Sequence, residues 1–129
     1  MVDASVLANV VGDDGADGRR AREEVRGAGD LAAPDLVDVE TVAVLRKRWL
    51  SGTISERRFA AALDDLESID VERYPALPLV RRSYDLRANV TPYDAMYVAL
   101  AEVLGCELVT GDQRLGTAPG PRCVIRVLT

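Results

Sequence analysis

Residues 91–112, TPYDAMYVALAEVLGCELVTGD, carry the clearest local pattern in the chain. Thr91 and Pro92 are typical of a helix start, and Gly105 is typical of a helix end because glycine readily adopts the left-handed backbone conformation found there. The β-branched stretch 107–110 predicts a short strand that Gly111 ends. This segment therefore predicts a helix followed directly by a strand.

The same alternation of short strands and helices extends through the rest of the chain. It predicts a very short first strand turning into a helix within 2–11, a charged helix at 19–26, a buried strand at 31–33, a helix from its N-cap Asp35 to about Leu50, a helix capped by Ser55, a weak strand at 69–72, a helix from Pro78 to about Ala88, and a last strand at 124–128. Strands alternating with helices predict an α/β layer with a mostly parallel sheet.

Length and composition bound the class of protein. The 129 residues, 48% of them apolar and 29% charged, predict one folded domain spanning residues 1–129. Histidine is absent, which excludes histidine general bases, Ser-His-Asp triads and histidine-bound zinc. Two cysteines without a CxxC spacing favour a reduced intracellular protein, and the longest apolar run, 95–101, is too short to span a membrane. We expect a cytoplasmic protein.

The charge balance argues against simple electrostatic binding of nucleic acid. The net charge is −5, from 16 basic and 21 acidic residues, whereas a protein that neutralises phosphates is normally basic. A divalent cation held by carboxylates reverses that argument, because it attracts phosphate. Lys47 is the only lysine, which excludes a P-loop and a receiver-type lysine late in the chain.

Two acids are predicted at the carboxyl ends of strands. Asp3 follows the first apolar residue, and Asp112 follows the strand 107–110 through Gly111. Sites in open α/β sheets gather beyond these strand ends, although a turn acid with no other role fits each position equally well.

Two further acids lie on predicted helices. Glu40 interrupts an apolar helical face, and an unpaired buried carboxylate is costly, so it requires either an arginine partner or a metal site. Asp94 follows Thr91 by three residues, which predicts a capping box and also leaves a carboxylate available to a cation.

If all four acids converge, their repulsion, about 4 kcal/mol for a pair about 4 Å apart at an effective dielectric of about 20, requires cations or added protons. Oxygen ligands alone favour Mg²⁺ or Mn²⁺ over zinc, and such ions activate water for phosphodiester hydrolysis.

Four stretches together resemble the PIN-domain family, and within it the VapC-type toxins of bacterial toxin–antitoxin pairs. They are VDASVL (2–7), PDLVDVE (34–40), TPYDAMYVALA (91–101) and LVTGD (108–112), in the order and spacing of the family over nearly the whole chain. The resemblance implies a three-layer α/β/α sandwich with a short, mostly parallel central sheet. It also implies a Mg²⁺- or Mn²⁺-dependent endoribonuclease that cleaves RNA through metal-activated water.

The resemblance also assigns roles and partners. Asp3, Glu40, Asp94 and Asp112 match the acidic quartet that holds the metal and performs catalysis. Ser5 and Thr110 match hydroxyl positions beside the first and last acids, where hydrogen bonds to the ligands are expected, although local turn bonding explains them as well. Family members are usually dimers inhibited by a small antitoxin protein. No membrane association is expected.

Two other hypotheses stay open on the residues alone. An aspartate-dependent phosphatase also places an acid after the first strand, but it requires a second aspartate where this chain has Ser5, and a phosphoacceptor requires a distal lysine that is absent. A non-catalytic PIN-like binding scaffold fits the same fold, but it has no need for four mutually repelling acids.

Overall fold

The computed structural model describes residues 1–128. Its helices are α1 (Ala4–Gly12), α2 (Ala16–Gly27), α3 (Val37–Leu50), α4 (Glu56–Ser68), α5 (Val80–Asp85), α6 (Pro92–Leu104) and α7 (Gln113–Thr117), with a 3-10 turn at Leu77–Leu79. Its strands are β1 (Leu31–Pro34), β2 (Val71–Tyr74), β3 (Leu108–Thr110) and β4 (Ile125–Val127).

The described strands pair in parallel only, as predicted. In one pair, β1 lies beside β2 with Leu31 opposite Val71, and in the other β3 lies beside β4 with Leu108 opposite Ile125. The predicted first strand is a single parallel bridge between Val2 and Val109. These short parallel strands, packed against helices, confirm the predicted α/β class.

Helices α1 and α6 contribute the largest shares of the buried apolar residues. Helix α1 packs against α2, α3 and α4, while α6 packs against α5, β1 and β3. Every residue of α6 from Ala95 to Ala101 is buried, which is why this stretch is apolar on all its faces. As predicted, Thr91 caps α6, accepting a 3.2 Å hydrogen bond from the backbone N–H of Asp94, and Gly105 ends it at φ 65°.

The structure corrects two predicted boundaries. Asp35 does not cap α3, which begins after Leu36 without a side-chain cap. The backbone N–H of Asp35 instead donates to the carbonyl of Tyr74 at 2.7 Å, so the strand pairing continues through this residue. The helix predicted over 78–88 is shorter and divides into the 3-10 turn and α5. Within residues 1–128, no helix has the length and apolar character needed to cross a membrane.

Candidate active site

One cavity of about 370 Å³ collects all four acids singled out in the sequence. Its lining residues are Asp3, Ala4, Ser5, Glu40, Ala43, Val44, Lys47, Asp94, Tyr97 and Asp112. Asp3 and Asp112 are the N-caps of α1 and α7, while Glu40 and Asp94 lie in the first turns of α3 and α6. Four helices thus begin around the cavity, and their backbone dipoles moderate the repulsion between the acids.

Asp3 is the most buried of the four acids, with only 5% of its surface exposed. Its carboxylate accepts hydrogen bonds from the hydroxyls of Ser5 and Thr110, both at 2.5 Å, and from the backbone N–H of Val6 at 3.2 Å. Burial raises the pKa of Asp3 above its ordinary value, and these hydrogen bonds oppose the rise. The carboxylate is therefore fixed in orientation.

The hydroxyls of Ser5 and Thr110 extend this network to the other strand end. The Ser5 hydroxyl accepts from the backbone N–H of Gly111, and that of Thr110 accepts from the N–H of Asp112, each at 3.0 Å. Two small side chains therefore fasten the start of α1 to the turn after β3. These hydroxyls bond both to the carboxylate of Asp3 and to the backbone of the turn after β3, and their role beside a metal stays a prediction.

Asp94 combines a capping position with a place on the cavity wall. Its backbone N–H bonds to Thr91, and its carboxyl group faces the same cavity as Asp3 and Asp112. Burial, followed by the negative charges of Asp3 and Asp112, raises the pKa of Asp94. The cap and the cavity position therefore do not compete, since they use different atoms.

Glu40 has a partner that the sequence did not predict. Among the described residues, neither an arginine nor a lysine pairs with it; instead, the buried hydroxyl of Tyr97 donates to Glu40 Oε1 at 2.7 Å. Burial, opposed by this bond and reinforced by the charges of Asp94 and Asp3, raises the pKa of Glu40. Burial and the bond to Glu40 also raise the pKa of Tyr97, which stays protonated.

The sequence analysis did not identify two residues that line the cavity, Tyr97 and Lys47, because their neighbours in sequence are typical of other environments. Tyr97 follows Asp94 by three residues on α6 and therefore shares its face, but it lies inside an apolar run typical of core. Lys47 follows Glu40 by seven residues on α3, again on one face, but it stands in a basic cluster typical of solvated surface. Its neighbour Arg48 is structural, since it donates to Asn9 Oδ1 at 2.6 Å.

The donor set fits a hard divalent cation. Within residues 1–128, no three acid, cysteine or histidine side chains are already close enough to form a metal cage. Mg²⁺ does not need such a cage, because it keeps several of its waters and binds proteins through one or two carboxylates. The Arg114 side chain lies 3.6 Å from the Asp112 carboxylate but is 93% exposed, so it neutralises little of the cavity charge.

Comparisons with known proteins identify the family of the chain. A family model described as PIN domain matches residues 1–120. Ribonuclease VapC1 of Mycobacterium tuberculosis is 48% identical over 97 residues, covering 74% of this chain and 73% of the relative. Ribonuclease VapC9 of the same species is 38% identical over 128 residues, covering 99% and 97%.

A solved structure supports the fold alone. The crystal structure of PAE2754 from Pyrobaculum aerophilum superposes with a TM-score of 0.60 at 24% sequence identity. The match covers 96% of this chain and 87% of that one. The overall fold is therefore shared with a protein of clearly different sequence.

Proposed function

The chain belongs to the PIN domain family, and on that premise we propose that it is a divalent-metal-dependent endoribonuclease acting as the toxin of a toxin–antitoxin pair. The two curated relatives described above are named ribonucleases and are matched over 73% and 97% of their own length. The observation that carries the proposal is the convergence of four carboxylates on one cavity, three of them with raised pKa values.

We assign Asp3, Glu40, Asp94 and Asp112 as the residues that hold Mg²⁺ or Mn²⁺. The ion, when bound, supplies an activated water and stabilises the charge that develops on the phosphodiester oxygens during hydrolysis. The protein has no histidine for this purpose. Repulsion among four clustered acids also favours binding of a cation in the cavity.

Other residues in and next to the cavity orient the acids and receive the substrate. Ser5 and Thr110 fix the carboxylate of Asp3, and Tyr97 fixes that of Glu40. Lys47 is an exposed cation on the cavity wall, and no ion pair or hydrogen bond of its side chain is present in the described part of the chain. We assign it to an RNA phosphate next to the bond that is cleaved.

The same reasoning extends to partners and location, which rest on the family likeness. We propose that a small antitoxin protein inhibits the chain, that it forms a homodimer, and that it acts on cytoplasmic RNA. An overall charge of −5 is compatible with RNA binding because the proposed cation and Lys47 act locally.

Cleavage of total cellular RNA by purified protein, freed of any antitoxin, tests the proposal. Parallel reactions contain EDTA, Mg²⁺ or Mn²⁺. The Asp94→Asn, Asp112→Asn double variant removes two cavity acids, and Asp64→Asn, Asp65→Asn removes the same charge from the exposed side of α4. Discrete fragments are expected only with metal and only with the cavity acids intact, and sequencing their ends identifies the target.

Two results contradict parts of this proposal. Cleavage that persists in EDTA or in the cavity variant excludes the assigned metal chemistry. Absence of cleavage, together with no binding of Mn²⁺ by calorimetry, favours the non-catalytic scaffold. Binding of Mn²⁺ without cleavage retains the metal site and directs the search to rarer RNA substrates.

A further inference from the structure

A second cavity, of about 540 Å³, contains both cysteines of the chain. Cys106 and Cys123 line it together with residues that include Glu102 and Arg122, and none of its lining residues lines the cavity of the four acids. Both cysteines are free thiols, and both are partly buried against the same hydrophobic core. The proposed ribonuclease chemistry uses neither of them.

The register of the sheet brings these two cysteines beside each other. Leu108 lies opposite Ile125 in the parallel pair of β3 and β4, and the Leu108 N–H donates to the carbonyl of Val124 at 2.9 Å. Cys106 precedes Leu108 by two residues, and Cys123 precedes Ile125 by two. Half-buried and exposed residues alternate from Cys123 to Val127, which places Cys123 on the side of Ile125, and both cysteines line the same cavity.

The spacing of neighbouring strands suits a disulfide. Adjacent strands lie about 4.8 Å apart, and bridged cysteines have Cα atoms about 4.4–6.8 Å apart. If the β3–β4 register is extended by two residues, Cys106 stands opposite Cys123, and the ideal strand spacing then falls within the bridging range.

Hydrogen bonds hold Cys106 and the segment that leads into Cys123 in place. The N–H of Cys106 donates to the carbonyl of Ala101 at 3.1 Å, which fixes it to the end of α6. On the other side, Glu102 accepts from the backbone N–H of Arg122 at 2.7 Å, while Arg82 bonds to both Glu102 and the carbonyl of Gly120. The segment leading into Cys123 is therefore fastened to the same helix that precedes Cys106.

We propose that Cys106 and Cys123 are an oxidation site that forms an intrachain disulfide on exposure to a low-molecular-weight disulfide such as oxidised glutathione. The sulfur–sulfur bond of glutathione breaks and a new one joins the two cysteines. The cysteines lose two electrons and two protons, and two molecules of reduced glutathione carry them away.

The bridge closes a loop that contains Thr110, Asp112 and α7. Closing this loop restricts the unfolded chain far more than the native one, in which the two segments are already adjacent. The oxidised protein is therefore more stable, with a melting temperature higher by about 5 °C or more. Oxidation thus stabilises the β3–β4 strand pair and changes none of the four acids of the cavity.

Equilibration of the purified full chain with oxidised glutathione tests this proposal. Intact mass under denaturing conditions and thiol titration of the unfolded protein are the direct readouts. The expected product has lost two hydrogens, has no free thiol and no glutathione adduct, yields one cross-linked peptide pair, and reverts with dithiothreitol. Its melting temperature rises, and the yield of the intrachain product does not depend on protein concentration.

The single variants Cys106→Ser and Cys123→Ser provide the matched controls. Each retains one thiol and is expected to accumulate one glutathione adduct, without the rise in melting temperature. Circular dichroism of the reduced variants checks that they fold. Two glutathione adducts on the native protein, two persistent thiols, or disulfides only between chains would each overturn the proposal, and none of these results bears on the ribonuclease assignment.

Discussion

The buried hydroxyl of Thr110 donates a 2.5 Å hydrogen bond to the carboxylate of Asp3, across 107 positions of sequence. The same hydroxyl accepts from the backbone N–H of Asp112. One side chain therefore links two of the four cavity acids, and it lies at the end of the strand that pairs with Val2 through Val109. The start of the chain and the turn after β3 act as one unit because of this contact.

Replacing Thr110 by valine removes the hydroxyl while keeping the shape of the side chain. We expect the free energy of unfolding at pH 7 to fall by about 1–3 kcal/mol, since a buried carboxylate loses a donor. Loss of that donor raises the pKa of Asp3 further, so the defect is greatest above the folded pKa and shrinks as acid protonates Asp3. Urea unfolding at neutral and acid pH measures this, and Thr110→Ser, which keeps the hydroxyl, should retain most of the stability.

Replacing Tyr97 by phenylalanine removes the donor to Glu40. The ring stays in the core, so a loss of about 0.5–1.5 kcal/mol is expected in the free energy of unfolding. The pKa of Glu40 rises further, and protons then compete more effectively with Mn²⁺ at mildly acid pH. Calorimetric titration with Mn²⁺ compares this variant with Tyr84→Phe, which alters an exposed ring. If both substitutions change the Mn²⁺ affinity equally, Tyr97 has no special role at the site.

Replacing Asp94 by asparagine tests the repulsion within the cavity. Burial and the charges of Asp3 and Asp112 raise the folded pKa of Asp94, so its ionised form costs stability at neutral pH and the cost disappears as pH falls through that pKa. The metal-free variant should therefore melt about 2–5 °C higher than the native protein at pH 7. Asparagine keeps the backbone N–H that bonds to Thr91, which preserves the cap.

In millimolar Mg²⁺, the native protein should have a higher melting temperature than the Asp94→Asn variant, which is the reverse of the metal-free order. Binding to the folded state raises the melting temperature of the native protein and raises that of the Asp94→Asn variant less. The exposed substitution Asp64→Asn should leave both the metal-free value and the metal effect unchanged. An identical metal effect in all three proteins contradicts a shared cation at the cavity.

Replacing Lys47 by glutamine tests the contact with RNA. Loss of one phosphate contact should weaken binding of single-stranded RNA and reduce the slope of log affinity against log salt by about 0.7. Fluorescence anisotropy in the Asp94→Asn, Asp112→Asn background measures binding without the proposed cleavage. Arg46→Gln removes a neighbouring exposed charge that does not line the cavity. In this variant the slope of log affinity against log salt should equal that of the protein with Arg46 and Lys47 intact.

Replacing Glu102 by glutamine tests the ion pair that holds the segment before β4. Burial raises the pKa of Glu102, but hydrogen bonds from Arg82 and from the Arg122 backbone lower it below its ordinary value of 4.5 overall. A lowered folded pKa stabilises the protein above the unfolded pKa, and this contribution is lost as pH falls through the folded value.

The expected loss for this variant is about 1–3 kcal/mol at pH 7, because both partners are largely buried. The difference in the free energy of unfolding between the variant and the native protein should become smaller below about pH 4. Asp17→Asn breaks a more exposed pair with Arg20 at 3.6 Å and should cost less than about 0.5 kcal/mol at any pH. Chemical unfolding across this pH range separates the two cases.

Local sequence patterns were sufficient to predict most of the elements. The bounds of α6 and β3 follow from the N-cap Thr91, the terminal Gly105 and the β-branched run before Gly111, because caps and turns depend on residues within about one helical turn. Asp35 was assigned wrongly for the same reason. Its local surroundings suit a cap, but its backbone N–H bonds to the carbonyl of Tyr74, far along the chain, which holds it in the turn directly after β1.

The sequence by itself determined which chemistry is available: oxygen ligands from acids, no histidine, a single lysine and two thiols. It also placed Asp3 and Asp112 at strand ends. Only the tertiary structure decided that Tyr97 bonds to Glu40, that Lys47 lines the cavity of the acids, and that the two cysteines share another cavity. Such contacts join residues on different elements, and their geometry is set by how helices and strands pack around a common core, which no local pattern encodes.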